Sequence, residues 1–86
     1  MSTKDDIRRY IVDNWLSGDG RGFADDTDLQ ENGVLDSFTT LALVAFLEER
    51  YRIQLDPTDV NAENFRTVND LERMVQAKTG QGEGNR

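Results

Sequence analysis

A small all-α bundle, with three long helices and one short helix before the last of them, is the fold these 86 residues predict. Three observations lead there. Apolar residues recur at helical spacing in separated stretches, turn-forming residues gather between those stretches, and the one alternating segment, Ile53-Gln54-Leu55, has no second strand to pair with.

Ile7, Tyr10, Ile11 and Trp15 fall at i, i+3, i+4 and i+8, one face of a first helix that starts near Lys4. Ser17-Gly18-Asp19-Gly20-Arg21-Gly22 ends it, with three glycines in five residues. A long polar connection runs on to Asp36, and Phe23, Leu29 and Val34-Leu35 are its expected anchors on the core. The second helix is expected from about Ser37 to Tyr51, with Phe38, Leu41, Leu43, Ala45, Phe46 and Leu47 as its buried surface. Ile53-Gln54-Leu55 then reads as an extended link burying Ile53 and Leu55. Pro57, the only proline, suits the first turn of a short helix over roughly 57–61. Thr67 or Asn69 caps a last helix whose inner face is Val68, Leu71, Met74-Val75 and the stem of Lys78. From residue 80 onward nothing remains to bury, so residues 4–79 are expected to form the domain and 80–86 a disordered tail.

Composition narrows the chemistry. The chain has no cysteine and no histidine, which removes disulfides, thiolate or imidazole metal ligation and any Ser-His-Asp triad. Its first residues hold no apolar run of the kind a secretory signal needs. The longest apolar stretch, Leu41 to Leu47, is far too short to cross a bilayer, so a soluble, cytoplasmic protein is expected. Net charge is −7, and between Asp25 and Glu63 ten acidic residues face only two basic ones, Arg50 and Arg52. A field of that sign repels phosphate backbones and anionic lipid. It disfavours nucleic acid and membranes as partners and favours proteins with basic docking patches.

Against that background Gly33-Val34-Leu35-Asp36-Ser37 stands out. It places a hydroxyl at the mouth of a helix. On the residues alone, Ser37 or Asp36 serves as the N-cap. A phosphodiester on a serine there would meet the positive end of the helix dipole and unpaired N–H groups. With no base but carboxylates beside it, Ser37 is not read as a hydrolase nucleophile. The acidic run Asp25-Asp26-Thr27-Asp28 fits no register of the calcium-binding EF-hand loop, whose sixth position must be Gly and twelfth Glu.

Gly33-x-x-Asp36-Ser37, preceded by a glycine-rich first loop, is similar to the attachment site of the acyl carrier protein and peptidyl carrier protein family. The similarity runs on through Leu47-Glu48-Glu49-Arg50-Tyr51, the link to Pro57, and Phe65-Arg66-Thr67-Val68-Asn69-Asp70-Leu71. It implies an acyl-carrier-protein-like fold and a protein that is not itself an enzyme. It also implies Ser37 as the residue esterified with 4'-phosphopantetheine, with Asp36 as the acidic neighbour needed by the modifying transferase. Phe38, Leu41, Ala62, Phe65 and Val68 stand where the family contacts the arm or its cargo, although each taken singly reads as core packing. Thr39, Thr40, Glu48 and Glu49 fall where it docks partners. Those partners would be a phosphopantetheinyl transferase, which brings the Mg²⁺, an adenylating acyl or aminoacyl ligase, and downstream acyl-transfer enzymes, serving a monomeric carrier.

Fatty-acid carriers of this kind usually read Asp-Ser-Leu-Asp with a further acid three residues on, whereas this chain has Phe38, Thr39 and Ala42 there. That departure resembles free-standing D-alanyl and aminoacyl or peptidyl carriers, and it implies a specialised biosynthetic pathway. The contrasting expectation is an unmodified acidic helical interaction module, in which Ser37 only caps a helix.

Overall fold

The computed structural model describes residues 3–31 and 33–83. Three α-helices, α1 (Thr3–Trp15), α2 (Ser37–Tyr51) and α3 (Val68–Glu83), enclose one core, and a single 3-10 turn at Pro57–Asp59 lies between the last two. The short third helix expected from Pro57 is that turn. Three long α-helices and this short turn, in the order the sequence predicts, therefore make up the described bundle.

α1 buries Ile7 and Ile11 fully, as its spacing requires, and leaves Tyr10 and Trp15 half-buried at its edge. It ends where Gly18 takes a φ of 79° and returns its N–H to Val12 O at 2.9 Å, closing the last turn. α1 joins α2 through polar contacts and stacked rings. Arg50 donates to Asp6 at 2.9 Å, and the Tyr51 hydroxyl lies within reach of both Thr3 O and Asp6. Burial, together with the Asp6 carboxylate, pushes the Tyr51 phenol up to about 12. Tyr10 and Phe46 stack at 4.0 Å between ring centres.

The described residues between α1 and α2 follow a fixed path without regular structure. Phe23, Leu29 and Leu35 are buried, and Val34 packs against them from a half-buried position. Arg8 donates to Phe23 O at 2.6 Å and lies over the Phe23 ring. At the far side Asn69 N–H donates to Asp25 O and Leu29 N–H to Arg66 O at 2.7 Å. The loop is thus sewn to α1 on one flank and to the start of α3 on the other.

α2 begins at a reciprocal cap. The Asp36 carboxylate accepts the Thr39 N–H at 2.8 Å, and the Thr39 hydroxyl accepts the Asp36 N–H at 2.8 Å. The Thr39 N–H, then its hydroxyl, holds the Asp36 carboxyl below the ordinary carboxylate value. Inside the bundle α2 presents Leu43 and Leu47, both fully buried. Phe38, Leu41 and Ala45 were expected in the core but face outward. The stretch from Leu41 to Leu47 is apolar on every side, so no polar residue marks which side faces water, and the packing of α1 and α3 decides it.

Beyond α2, Ile53 and Leu55 pack inward as an extended link, and Glu48 accepts the Leu55 N–H at 2.9 Å. Thr67, buried, caps α3 by accepting the Asp70 N–H at 3.1 Å and donating its hydroxyl to the Asp70 carboxylate at 2.8 Å. Val68, Leu71, Met74 and Val75 form the buried face of α3, and Lys78 extends from it to Asp59 at 2.7 Å. The helix runs past Thr79 to Glu83, so the backbone does not break at the expected boundary before Gly80. Residues 84–86 of the expected tail lie outside the described residues.

Leu47→Ala is expected to cost about 2–5 kcal/mol, a large share of the stability of a domain this small, read as a lower urea midpoint. Stability should also fall in acid. The Asp36 carboxyl is lowered in the folded state, so its contribution is full above its unfolded value of 3.8 and is lost as pH falls through the folded value. Thermal melts between pH 6 and 2 of the protein and of Asp36→Asn, which keeps a capping oxygen but does not titrate, should show a shallower acid decline in the variant.

Candidate functional site

Because Asp36 takes the capping position, Ser37 becomes the first residue of α2 and its hydroxyl is released from that duty. Of the two capping candidates the sequence offered, the structure selects Asp36. Ser37 is exposed, and among the described residues its hydroxyl has no hydrogen-bond partner. The approach to it is set by Gly33 in a left-handed turn (φ 75°), after which the N–H groups of Val34 and Leu35 both return to Leu29 O at 2.9 and 3.1 Å.

Beside Ser37 an open groove of about 530 Å³ runs between α2 and the segment that follows the 3-10 turn. Ser37, Thr40 and Leu41 form its α2 side, Val60, Asn61 and Ala62 the facing wall, and Leu35 and Phe65 its apolar inner lining. Gln30 closes it from the first loop. The groove therefore gathers Ser37, Leu41, Ala62 and Phe65 from the residues singled out by resemblance. Phe38 stands outside it, 77% exposed on the outer side of the helix, and Val68 is fully buried in the core behind it. Leu41, 69% exposed, spans the groove rim and the outer surface.

The docking candidates separate in the same way. Thr39 is committed to the cap and Thr40 lines the groove. Glu48 is half-buried and holds the Leu55 N–H, whereas Glu49 is exposed beside Phe46, Arg50 and Arg52. Gln30, Leu35, Val60 and Asn61 carried no signal of a site. All four lie in segments that form no helix, and the place of Gln30 in the groove depends on contacts distant in sequence.

The chemistry of this arrangement is that of an acceptor. Ser37 presents an uncommitted hydroxyl at the N-terminus of a 15-residue helix, where the dipole and the remaining first-turn N–H groups favour an anion. The chain has no histidine, and the carboxylate nearest in sequence, Asp36, is held in its charged form by the cap. The chain thus presents an open hydroxyl with no imidazole to take its proton. A phosphodiester-linked arm fits: Ser37 would hold it, and Leu41, Ala62 and Phe65 offer apolar surface alongside.

Residues 12–75, spanning the end of α1 to the middle of α3, match the protein family described as "Phosphopantetheine attachment site". Among curated proteins, the chain is 33% identical over 73 residues to the D-alanyl carrier protein of Lactobacillus delbrueckii subsp. bulgaricus, covering 83% of this chain and 91% of that protein. It is 34% identical over 77 residues to the 4-methyl-3-hydroxyanthranilic acid carrier protein of Streptomyces anulatus, covering 90% of this chain and 94% of the relative. Over a shorter span of 54 residues it is 39% identical to the D-alanyl carrier protein of Lactococcus lactis subsp. cremoris, covering 63% and 68% of the two chains. With a helical fold, a serine open to modification at the head of α2 and relatives matched along most of their length, the chain belongs to the phosphopantetheine-attachment family of carrier proteins.

Proposed function

We propose that this carrier protein is free-standing, bears its 4'-phosphopantetheine on Ser37, and shuttles a small acyl or aminoacyl group between enzymes of a specialised biosynthetic pathway. The observation that carries the reading is the exposed, unpartnered Ser37 hydroxyl at the first position of α2, beside the groove and within the residues that match the family. When bound, the arm supplies a terminal thiol on which an acyl group is held as a thioester.

Ser37 Oγ gives up its proton to a base of the transferase and displaces adenosine 3',5'-bisphosphate from coenzyme A. Asp36, kept charged by the cap, offers the transferase a fixed anion one residue away. The rest of the catalysis falls to partners: an adenylating ligase that loads the arm and acyl-transfer enzymes that unload it. Two features support a small cargo over a fatty chain. The relatives are named for D-alanyl and 4-methyl-3-hydroxyanthranilic acid cargo. The bundle interior is filled by fully buried Leu43, Leu47, Leu71 and Val68, and the groove beside Ser37 is open.

Glu49 is the acid at the far end of α2 whose charge is free for docking, whereas Glu48 is tied to the Leu55 N–H. The acidic surface would speed encounter with basic partners more than it would tighten the final complex.

Incubation with coenzyme A, Mg²⁺ and a broad-specificity phosphopantetheinyl transferase should add the mass of one phosphopantetheine to the protein and none to Ser37→Ala. That variant should melt with the wild type, because Asp36 and not Ser37 holds the cap. A wild-type mass that stays unchanged beside a working control carrier would leave the unmodified interaction module as the better reading. Glu49→Lys should slow association with the transferase and weaken its salt dependence without changing the melt. Stopped-flow binding at two ionic strengths measures this. Glu48→Lys should lower stability as well, through loss of the Leu55 tether.

A further inference from the structure

Gln30 lines the groove from the first loop, and its amide nitrogen bonds to the facing wall. Its backbone is set by neighbours. Leu29 before it is buried with its N–H on Arg66 O, and the N–H groups of Gln30 and Glu31 both donate to Asp28 Oδ1 at 3.0 and 2.8 Å. From that fixed base the Gln30 Nε2 donates to Ala62 O at 3.2 Å and to Phe65 O at 3.3 Å. Two N–H donors meet two acceptors, and because carbonyl oxygens only accept, the nitrogen and not the oxygen of the amide must face them.

The two acceptors differ in how firmly they are held. Phe65 is buried in the core, and the next carbonyl, that of Arg66, receives the Leu29 N–H. Ala62 is exposed and lies midway along the wall, between the Lys78–Asp59 ion pair at one end and Phe65 at the other. Within the wall, Asn61 and Asn64 bond to their own segment, at Thr58 O, Asp59 O, the Asn64 N–H and, through Asn61 O, the Phe65 N–H at 3.1 Å. The Gln30 amide thus links an exposed point of the wall to a buried one.

We infer that Gln30 is a positioning residue that sets the width of the groove beside Ser37, and thereby how closely the cargo on the arm is held. The inference rests on the reading of Ser37 as the attachment residue. Its action is through Ala62 and the wall, by two hydrogen bonds that span 32 and 35 residues of sequence.

Gln30→Met keeps the length of the side chain and removes both donors, and Gln30→Glu sets a carboxylate against two carbonyl oxygens. In the unmodified protein, amide hydrogen exchange at Asn64 and Phe65 should rise roughly tenfold in Gln30→Met, more in Gln30→Glu, with the amides of Leu43 and Leu47 unchanged. Wild type and Gln30→Met are then charged to completion with acetyl-coenzyme A as the donor for the transferase. The acetyl group should shift the Ala62 methyl resonance in the wild type, and in Gln30→Met that shift should shrink while the thioester hydrolyses faster. Wild-type exchange at Asn64 and Phe65 in both variants would overturn the clamp. A loosened wall with unaltered Ala62 shift and thioester lifetime would overturn its role in holding cargo. Failure of either protein to gain mass would instead count against Ser37 as the attachment residue, and it is seen before any groove measurement, while the exchange data on the unmodified protein still decide the clamp.

Discussion

The backbone of Leu29 is the point on which the geometry of the molecule turns. Its N–H reaches Arg66 O at 2.7 Å, its carbonyl receives the N–H groups of both Val34 and Leu35, and its side chain is fully buried. One residue thereby joins the first loop, the entrance to α2 and the approach to α3. Buried backbone groups must be paired, and in a connection whose described residues form neither helix nor strand these bonds do the pairing that regular structure does elsewhere. Gln30, Gly33 and Asp36 inherit their positions from it: Gln30 reaches the groove wall, Gly33 turns the chain, and Asp36 arrives where its carboxylate can close the first turn of α2.

The exposure of Ser37 follows from that closure. A serine at a helix mouth ordinarily spends its hydroxyl on the helix. Here Asp36 and Thr39 satisfy each other's backbone N–H groups, so Ser37 is left with an open hydroxyl on a rigid support. Phe38 and Leu41, three residues apart on one helix face, are the two large apolar side chains the described structure leaves most exposed, and both neighbour Ser37. Apolar surface gathered at one place, ringed by an acidic protein, is the form an interaction site takes more often than a random surface does. Rigid backbone, free nucleophile and exposed apolar neighbours thus meet at one end of α2.

Much of this was legible in the residues. The positions of α1, α2 and α3, the loop anchors Phe23, Leu29 and Leu35, and the Thr67 cap come from local pattern, because helix period and capping depend on neighbours three or four residues away. The outward turn of Phe38 and Leu41 was not legible, since an apolar run with no polar side has no direction until α1 and α3 pack on it. The commitment of Glu48 to Leu55 was hidden for a related reason: a glutamate near a helix end reads as surface charge until the chain folds back beneath it. The groove wall could not be assigned either. Val60, Asn61 and Ala62 belong to no periodic element, and their segment meets Gln30 at Ala62 and Lys78 at Asp59, both from distant parts of the chain.

By itself, then, the sequence determined the helical class, the absence of any imidazole or thiol chemistry, the acidic field and the serine at the head of α2, all of which are matters of composition or of near neighbours. Tertiary structure alone decided that Asp36 and not Ser37 is the cap, that Leu41, Ala62 and Phe65 meet Ser37 along one groove while Val68 is sealed behind it, and that Gln30 spans the gap. The physical reason is range. Helix propensity and capping act within a turn, whereas which face is buried and which carbonyl meets which amide depend on contacts between residues more than thirty positions apart, which exist only once the core has closed.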